Sequence, residues 1–480
     1  MDIATLALIG VVIVVAALLS GVIERTRFPQ VALFLLLGLV IGVFGFGLVD
    51  FRLDSQILET IATLGLVLVL FTDAVSVDLR EVRRHRTLVR LVLGPGTLVT
   101  AGLIAVAAWA LLGLAPGPAA ILGAALASTD PVMMRGLLRS GDVPQAARQV
   151  LALESGLNDL VLLPIVLVAM ALLAGNASGN WGRAVLNLFV VGPGAGIAVG
   201  FVGVVLLDRM RRWVGVRRDY ESLYALGLAF TSYALGEAAH GSGFLAAFAA
   251  GLTIAASDAE LCDCFLDFGQ AAAEMFLLFT FVAFGSSLIW TGLVGITWPG
   301  LLFAVLALGL RSAVLALALP RKGLDPRSRR LIVWFGPRGL STLLLVLLPV
   351  FAGLPGADRL FAPAALVVLL SVVVHGGALM LGRKPRGGRA LPLVQEPVPP
   401  APSAESAAPV ERRDKITLLE LKALQGRAEP VVLLDVRKDR AWNESEEKAR
   451  GAIRLPPDRA VHVAAELALP RHAWLVAYCA

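Results

Sequence analysis

Charge is scarce in this chain. Only 16% of its 480 residues are Asp, Glu, Lys or Arg, against 57% hydrophobic. A soluble domain carries about a quarter charged residues, so an ordinary soluble enzyme is excluded. Three cysteines are too few for a disulfide framework. The pair Cys262 and Cys264 lies among aspartates but lacks the ligand count of a metal centre. No cleavable signal peptide is evident, because the first apolar run lacks a basic start and a small-residue cleavage site. Repeated loops of carbonyls or charges, which a passive cation channel would use as a filter, are also missing. Nothing implies a cofactor. The net charge of +6 implies no nucleic-acid partner, since the arginines fall where membrane topology places them.

Long apolar runs dominate what is present. A helix needs about 20 apolar residues to cross about 30 Å of hydrocarbon. About thirteen runs approach that length: 3–23, 30–49, 57–77, 88–113, 118–139, 147–174, 184–207, 220–238, 243–256, 267–290, 296–319, 329–352 and 361–382. The fold class expected is therefore an all-α polytopic membrane protein. Connections after odd-numbered runs are basic, as with Arg80, Arg83, Arg84 and Arg86, or Arg321, Lys322, Arg327, Arg329 and Arg330. Those after even-numbered runs are nearly bare, with Arg52, Arg183 and Arg359 the exceptions. The positive-inside rule then puts the N-terminus outside and the C-terminus in the cytoplasm. One connection, Asp258 to Cys264, is acidic, and acids weigh little in that rule.

At Gly382 the composition changes. Residues 1–382 form the transmembrane domain and 383–413 a Pro/Gly-rich linker; 414–480 read as a small soluble α/β tail. The tail has a helical pattern at Thr417–Gln425 and strand patterns at Val431–Val436 and Trp474–Tyr478.

Acids inside the apolar runs carry the functional signal. Asp130 lies in Thr129-Asp130-Pro131, and Glu154 and Asp159 in Glu154-Ser155-Gly156-Leu157-Asn158-Asp159. Each costs about 2.5–3.5 kcal/mol at membrane depth even on lenient scales. Pro131 must also break its helix, because it lacks an N–H and clashes with the preceding turn. The twelfth run is interrupted in the same way at Gly336-Pro337-Arg338-Gly339. The two breaks are an odd number of runs apart, so equivalent helices run in opposite directions, as an inverted repeat requires.

On a helix, Ser155 and Asp159 share one face, with Glu154 and Asn158 on the adjacent one. Oxygen ligands a turn apart suit a hard cation such as sodium, as they suit other hard cations. At the break, free carbonyls can meet the cation while Asp130 offsets positive half-helix ends. Arg338 needs a counter-charge, and the order of the runs nominates Glu154 as a structural partner. Asp159 is then the free carboxylate. It binds a proton or a cation but not both, and that competition couples the two fluxes. Thr72 and Asp73, ending the third run, form either an approach to the site or a solvated helix terminus. His240 is expected in an external loop. His375, in the last run, is expected to be a packed helix contact, with a proton relay as the alternative.

At these residues the chain resembles the bacterial sodium/proton antiporters of cation:proton antiporter family one, the NhaP-like group. The matching pieces are Ala127-Ser128-Thr129-Asp130-Pro131-Val132, the run from Glu154 to Asp159, Gly241-Ser242-Gly243-Phe244-Leu245-Ala246 with Gly251-Leu252, and Gly336-Pro337-Arg338-Gly339. The resemblance covers the whole membrane domain. It implies two interrupted helices crossing at mid-membrane, and a homodimer whose six-helix core moves against a dimerisation bundle to alternate access. It further implies electroneutral exchange of Na+ (Li+ or K+ being the other candidates) for H+ across a prokaryotic cytoplasmic membrane, in the service of pH homeostasis.

On this chain Asp159 resembles the transported-ion carboxylate, with Asp130, Ser155 and the Thr129 carbonyl region as co-ligands. Asn158 resembles the asparagine that marks electroneutral members, and Glu154 with Arg338 the family's core ion pair. Phe71-Thr72-Asp73-Ala74 departs from the Phe-Glu-Gly-Gly-like run of many members. The alternative function is a potassium/proton antiporter with the tail as its regulatory module.

The tail resembles a rhodanese domain in the order Val432-Leu433-Leu434-Asp435-Val436-Arg437, Gly451-Ala452-Ile453-Arg454-Leu455-Pro456 and Tyr478-Cys479. The loop that would stabilise a persulfide after Cys479 is not there, so a regulatory or vestigial role is expected rather than sulfurtransferase activity.

Overall fold

The computed structural model describes residues 29–378 apart from 78–85, 139–142, 175–180, 214–217, 258–262, 295 and 320–324, with three positions before residue 29 and parts of 421–478. Nearly all of run 3–23, the linker 383–413, most of the pattern at 417–425, Cys262 and Cys479 lie outside the described residues. The chain divides into two compact units, Met1–Arg386 and Gly387–Ala480.

The first unit is helical because lipid offers its backbone no hydrogen-bond partners. Among the described residues six helices are long and apolar enough to span a membrane: Gln56–Val75, Thr87–Leu112, Gln145–Leu173, Asn187–Trp213, Trp298–Ala318 and Ala357–Gly376. Gln30–Ile41, Gly243–Ala256 and Leu340–Phe351 are shorter apolar helices. Three of the runs widen into π-helical turns, at Val92–Val99, Asn187–Val191 and Val372–Gly376. Composition does not reveal such turns. The first two have a local cause, since Pro95 within one and Pro193 just after the other withhold an N–H from the α ladder.

Eight helices surround the centre of this unit. The first, α1 (Gln56–Val75), is the third apolar run. The fifth run is split by its proline into α2 (Pro116–Ala127) and α3 (Pro131–Leu138). Proline restrains the residue before it from helical geometry, yet fits the first position of the next helix. α4 (Gln145–Leu173) carries the acidic motif and packs on α2, and α5 (Trp298–Ala318) crosses nearby. The twelfth run is split into α6 (Pro326–Trp334) and α7 (Leu340–Phe351), which leaves Phe335–Gly339 non-helical. α8 (Phe361–Ser371) runs into the π-helical turn that holds His375. Every residue of α7 from Leu340 to Pro349 is buried. A helix apolar on all sides belongs inside a protein, so the second break lies at the core of the unit.

The second unit contains a three-stranded parallel sheet in the order β2-β1-β3, with β1 (Val431–Asp435) central, β2 (Ile453–Arg454) and β3 (Trp474–Tyr478). Leu433 pairs with Val476 and Leu434 with Ile453. At the end of β1 the Asp435 carboxylate takes hydrogen bonds from the Arg437 guanidinium (Nη2 at 2.6 Å) and the Tyr478 hydroxyl at 2.7 Å.

The bonds from Arg437, reinforced by Tyr478 against the cost of burial, hold the Asp435 carboxyl down to about 2 from its ordinary 3.8. A depressed carboxyl contributes stability above the unfolded-state value and loses it as pH falls through the folded one. Hydrogen-exchange protection of Val431–Asp435 in the full chain, corrected for intrinsic rates, should be level from about pH 7 to pH 5 and decline below about pH 4. Asp435→Asn should remove that dependence. Protection that declines equally in the variant would rule out Asp435 as its source.

Candidate cation site at two broken helices

The two breaks meet. The Asp130 N–H donates to the Pro337 carbonyl at 2.9 Å, joining the extended residues of one interruption to those of the other. Each interruption exposes a helix C-terminus and a helix N-terminus, with unpaired carbonyls and N–H groups respectively. Asp130, 1% exposed, serves both N-termini. Its Oδ1 accepts the Val132 N–H of α3 at 2.8 Å, and its Oδ2 accepts the Leu340 N–H of α7 at 3.0 Å. Gly339 makes this possible, since a Cβ there would lie 1.7 Å from Asp130 Oδ2.

Arginines serve the C-termini. Arg338 is fully buried and donates from Nη1 to the Ala127 and Ser128 carbonyls at the end of α2, at 2.7 and 2.9 Å. Arg311, from the middle of α5, reaches the Val333 carbonyl near the end of α6 at 3.4 Å. Its guanidinium lies against Gly336, where a Cβ would come within 2.5–2.7 Å of it. Negative charge at helix starts and positive charge at helix ends both oppose the macrodipoles, so all four half-helix ends are compensated.

Arg311 also claims Glu154. Its Nε donates to Oε1 at 2.7 Å and its Nη2 to Oε2 at 2.6 Å, a bidentate pair in which both side chains are under 5% exposed. This corrects the expectation that Glu154 pairs with Arg338. The order of the runs nominated the arginine beside the second break, but that guanidinium turns its Nη1 to the carbonyls at the end of α2 and leaves its Nε and Nη2 buried without a hydrogen-bond partner. A lone arginine in an apolar 21-residue helix was the overlooked signal, because it demands a partner by the same rule.

Asp159 is 4% exposed and accepts the Ser128 hydroxyl at Oδ1, 2.7 Å away. Ser341, at the start of α7, is a second hydroxyl partner. No Lys, Arg or His among the described residues lies within ion-pair distance of it. Asn158 donates from Nδ2 to Thr129 Oγ1 at 2.8 Å and more weakly to the Thr129 carbonyl at 3.4 Å; its Oδ1 is buried without a hydrogen-bond partner. The Ser155 hydroxyl donates to its own helix at Ala152, at 3.2 Å, leaving lone pairs one turn from Asp159. Asp159, Asp130, Ser155, Thr129 and Asn158 therefore lie around one crossing. Ser128, Ser341 and Arg311 belong there too, although the sequence reading did not single them out.

Thr72 spends its hydroxyl on the Leu68 and Val69 carbonyls of α1, and Asp73 is half-buried at the end of that helix. His240 is an exposed turn residue with φ 58°. Among the described residues the buried acids and arginines of the centre are three carboxylates (Asp130, Glu154, Asp159) and two guanidiniums (Arg311, Arg338). That leaves one negative charge, on a carboxylate ringed by oxygens.

The transmembrane sodium/hydrogen exchanger family matches residues 11–381. The chain belongs to that family. This exchanger is 27% identical over 399 residues to the K(+)/H(+) antiporter NhaP2 of Shewanella sp. strain ANA-3, a match covering 83% of this chain and 68% of that protein. It is 26% identical over 385 residues to the K(+)/H(+) antiporter NhaP of Alkalimonas amylolytica, covering 78% and 65% of the two chains. Among solved structures, the sodium proton antiporter MjNhaP1 from Methanocaldococcus jannaschii at pH 8 superposes with a TM-score of 0.65 at 20% identity, over 78% of this chain and all of that one. At that identity the likeness speaks for a shared fold. The exchanger is a multi-pass membrane protein that exchanges monovalent cations for protons.

Removing Arg311 should leave Glu154 buried and uncompensated. Breaking such a pair costs about 3–5 kcal/mol, whereas neutralising both partners is far milder. Arg311→Ala should therefore lower the melting temperature in detergent sharply, and adding Glu154→Gln should restore part of the loss. An unchanged melting temperature in Arg311→Ala would show that the pair does not hold the site together.

Proposed function

We propose that this exchanger is an electroneutral antiporter in which Asp159 carries a cation or a proton in alternation. The observation that carries this reading is the unequal treatment of the buried acids. Asp130 is held by two helix N-termini and Glu154 by Arg311, while Asp159 meets only hydroxyls. A cation at Asp159 would have the Ser155 hydroxyl, the Thr129 carbonyl region and the Asn158 carbonyl oxygen as neighbouring ligands, oxygens of the kind hard cations prefer. Either cargo brings the buried centre to neutrality, so each half-cycle would move the same charge. Asn158, neutral where a second acid would titrate, supports the same stoichiometry. The outward and inward states would alternate by movement of the core against a dimerisation bundle in a homodimer.

Sodium is the substrate first proposed, with lithium accepted and potassium the alternative that the Shewanella and Alkalimonas proteins' names favour. Thr72 and Asp73 would line the approach to the site. In the proposed topology thirteen spans with inverted repeats place the N-terminus outside a prokaryotic cytoplasmic membrane and the tail in the cytoplasm. The tail would be a rhodanese-like domain, consistent with its parallel sheet.

Asp159→Asn should abolish cation-dependent dissipation of an imposed pH gradient in proteoliposomes, scanned over sodium, lithium and potassium, while leaving expression and oligomeric state intact. Retained exchange would remove Asp159 from its role. A valinomycin-set potassium potential should neither drive nor accelerate sodium-coupled proton movement in the wild type. Acceleration by voltage would require a second titrating group. Truncation after Gly388 should leave exchange largely intact, because every proposed ligand precedes it; a shifted pH profile would instead make the tail a regulator of transport.

A further inference from the structure

His375 is a buried group that the exchange cycle described above does not use. It sits 5% exposed in the π-helical turn Val372–Gly376, and π turns inside helices are frequent at functional sites. Its Nδ1 lies 3.1 Å from the Ser371 hydroxyl and 3.3 Å from the Ser371 carbonyl. Ser371 is fully buried, and its hydroxyl accepts the backbone N–H of Arg338 at 2.7 Å. The imidazole also packs edge-on against Phe335, 5.7 Å between centroids at 87°, and against Trp334 at 6.1 Å. His375 thus meets the non-helical stretch Phe335–Gly339 at its first residue directly and at Arg338 through Ser371.

A serine inside a helix ordinarily turns its hydroxyl back to the carbonyl one turn earlier. Ser371 instead faces another element. Its oxygen receives the Arg338 N–H, which leaves one proton to give, and Nδ1 stands within reach to accept it. Without that acceptor the hydroxyl is free to return to its own helix and abandon Arg338. The same five-residue stretch supplies the Pro337 carbonyl that binds the Asp130 N–H, and it precedes the Leu340 N–H that binds Asp130 Oδ2.

We infer that His375 is a positioning residue: through Ser371 it fixes the backbone of the second break and so sets the cation affinity of the Asp159 site. This rests on the assignment of Asp159, and Asp159→Asn in the same preparation tests that assignment separately.

The test is the half-saturating cation concentration of the full-length protein in proteoliposomes, read beside its maximal rate. Asparagine places an amide where Nδ1 stands, glutamine places one nearer Nε2, and leucine places none. His375→Asn should stay within about two-fold of wild type, while His375→Leu and His375→Gln should raise the half-saturating concentration about ten-fold, the worth of one hydrogen bond. The maximal rate should change much less. Ser371→Ala, a one-atom deletion, should give the same shift, and Ser371→Ala with His375→Leu should give no further one. Should leucine prevent folding, the serine and asparagine variants still decide. Wild-type affinity in Ser371→Ala, equal impairment by asparagine and leucine, or additive shifts in the double variant would each overturn the inference.

Discussion

Four helix ends buried in a low-dielectric interior have to be satisfied without water. That constraint governs the centre of this exchanger. Interrupting two helices at the same depth creates unpaired N–H groups and carbonyls that would be prohibitively costly in lipid. One carboxylate, Asp130, takes the N–H groups of both following half-helices, and two guanidiniums face the carbonyls of both preceding ones. The glycines at 336 and 339 follow from this arrangement, because a side chain at either would occupy the space of Arg311 or Asp130. So does the direct bond between the breaks, which leaves the Asp130 N–H and the Pro337 carbonyl paired.

Compensating the helix ends also decides which acid is left with hydroxyl partners alone. Arg311 is held bidentately by Glu154, and Arg338 donates through Nη1 to the end of α2 while its Nε and Nη2 are buried without a hydrogen-bond partner. No guanidinium among the described residues lies within ion-pair distance of Asp159, which is left with hydroxyl partners. A carboxylate with a permanent cation would have no reason to bind a transported one. In the proposed cycle, exchange at Asp159 would be a by-product of how the neighbouring charges are spent. The unmatched negative charge would also give the proposed one-for-one coupling a simple electrostatic basis, since a proton and a monovalent cation neutralise it equally. In the same proposal the unpartnered Asn158 oxygen would add a neutral ligand without adding a titrating group.

The second unit is built on a different logic. Its central strand ends in a buried aspartate that draws Arg437 and Tyr478 onto itself, and the Arg437 guanidinium in turn lies over the Trp442 and Tyr478 rings at 5.7 and 5.8 Å. Here ionic and aromatic contacts surround a small sheet, whereas the membrane unit relies on apolar helix packing with its few charges collected at one crossing.

Much of this was legible locally. Apolar run length announced membrane helices, Pro131 and Pro337 announced the breaks, and acids at membrane depth announced the site, because each is a property of a residue and its immediate neighbours. The strand patterns at 431–436 and 474–478 reappear as β1 and β3 for the same reason. Partner choice was not legible. Glu154 could have met either buried arginine, and helix packing gave it Arg311, 157 positions along the chain, while Arg338 went to α2. The π-helical turn at His375 and the roles of Ser128, Ser341 and Ser371 were likewise decided by side chains meeting across helices. Sequence by itself determined which residues the membrane would tolerate only in company. The tertiary structure decided whose company each one keeps, because hydrogen bonds reach about 3 Å and only the packed fold brings distant segments that close.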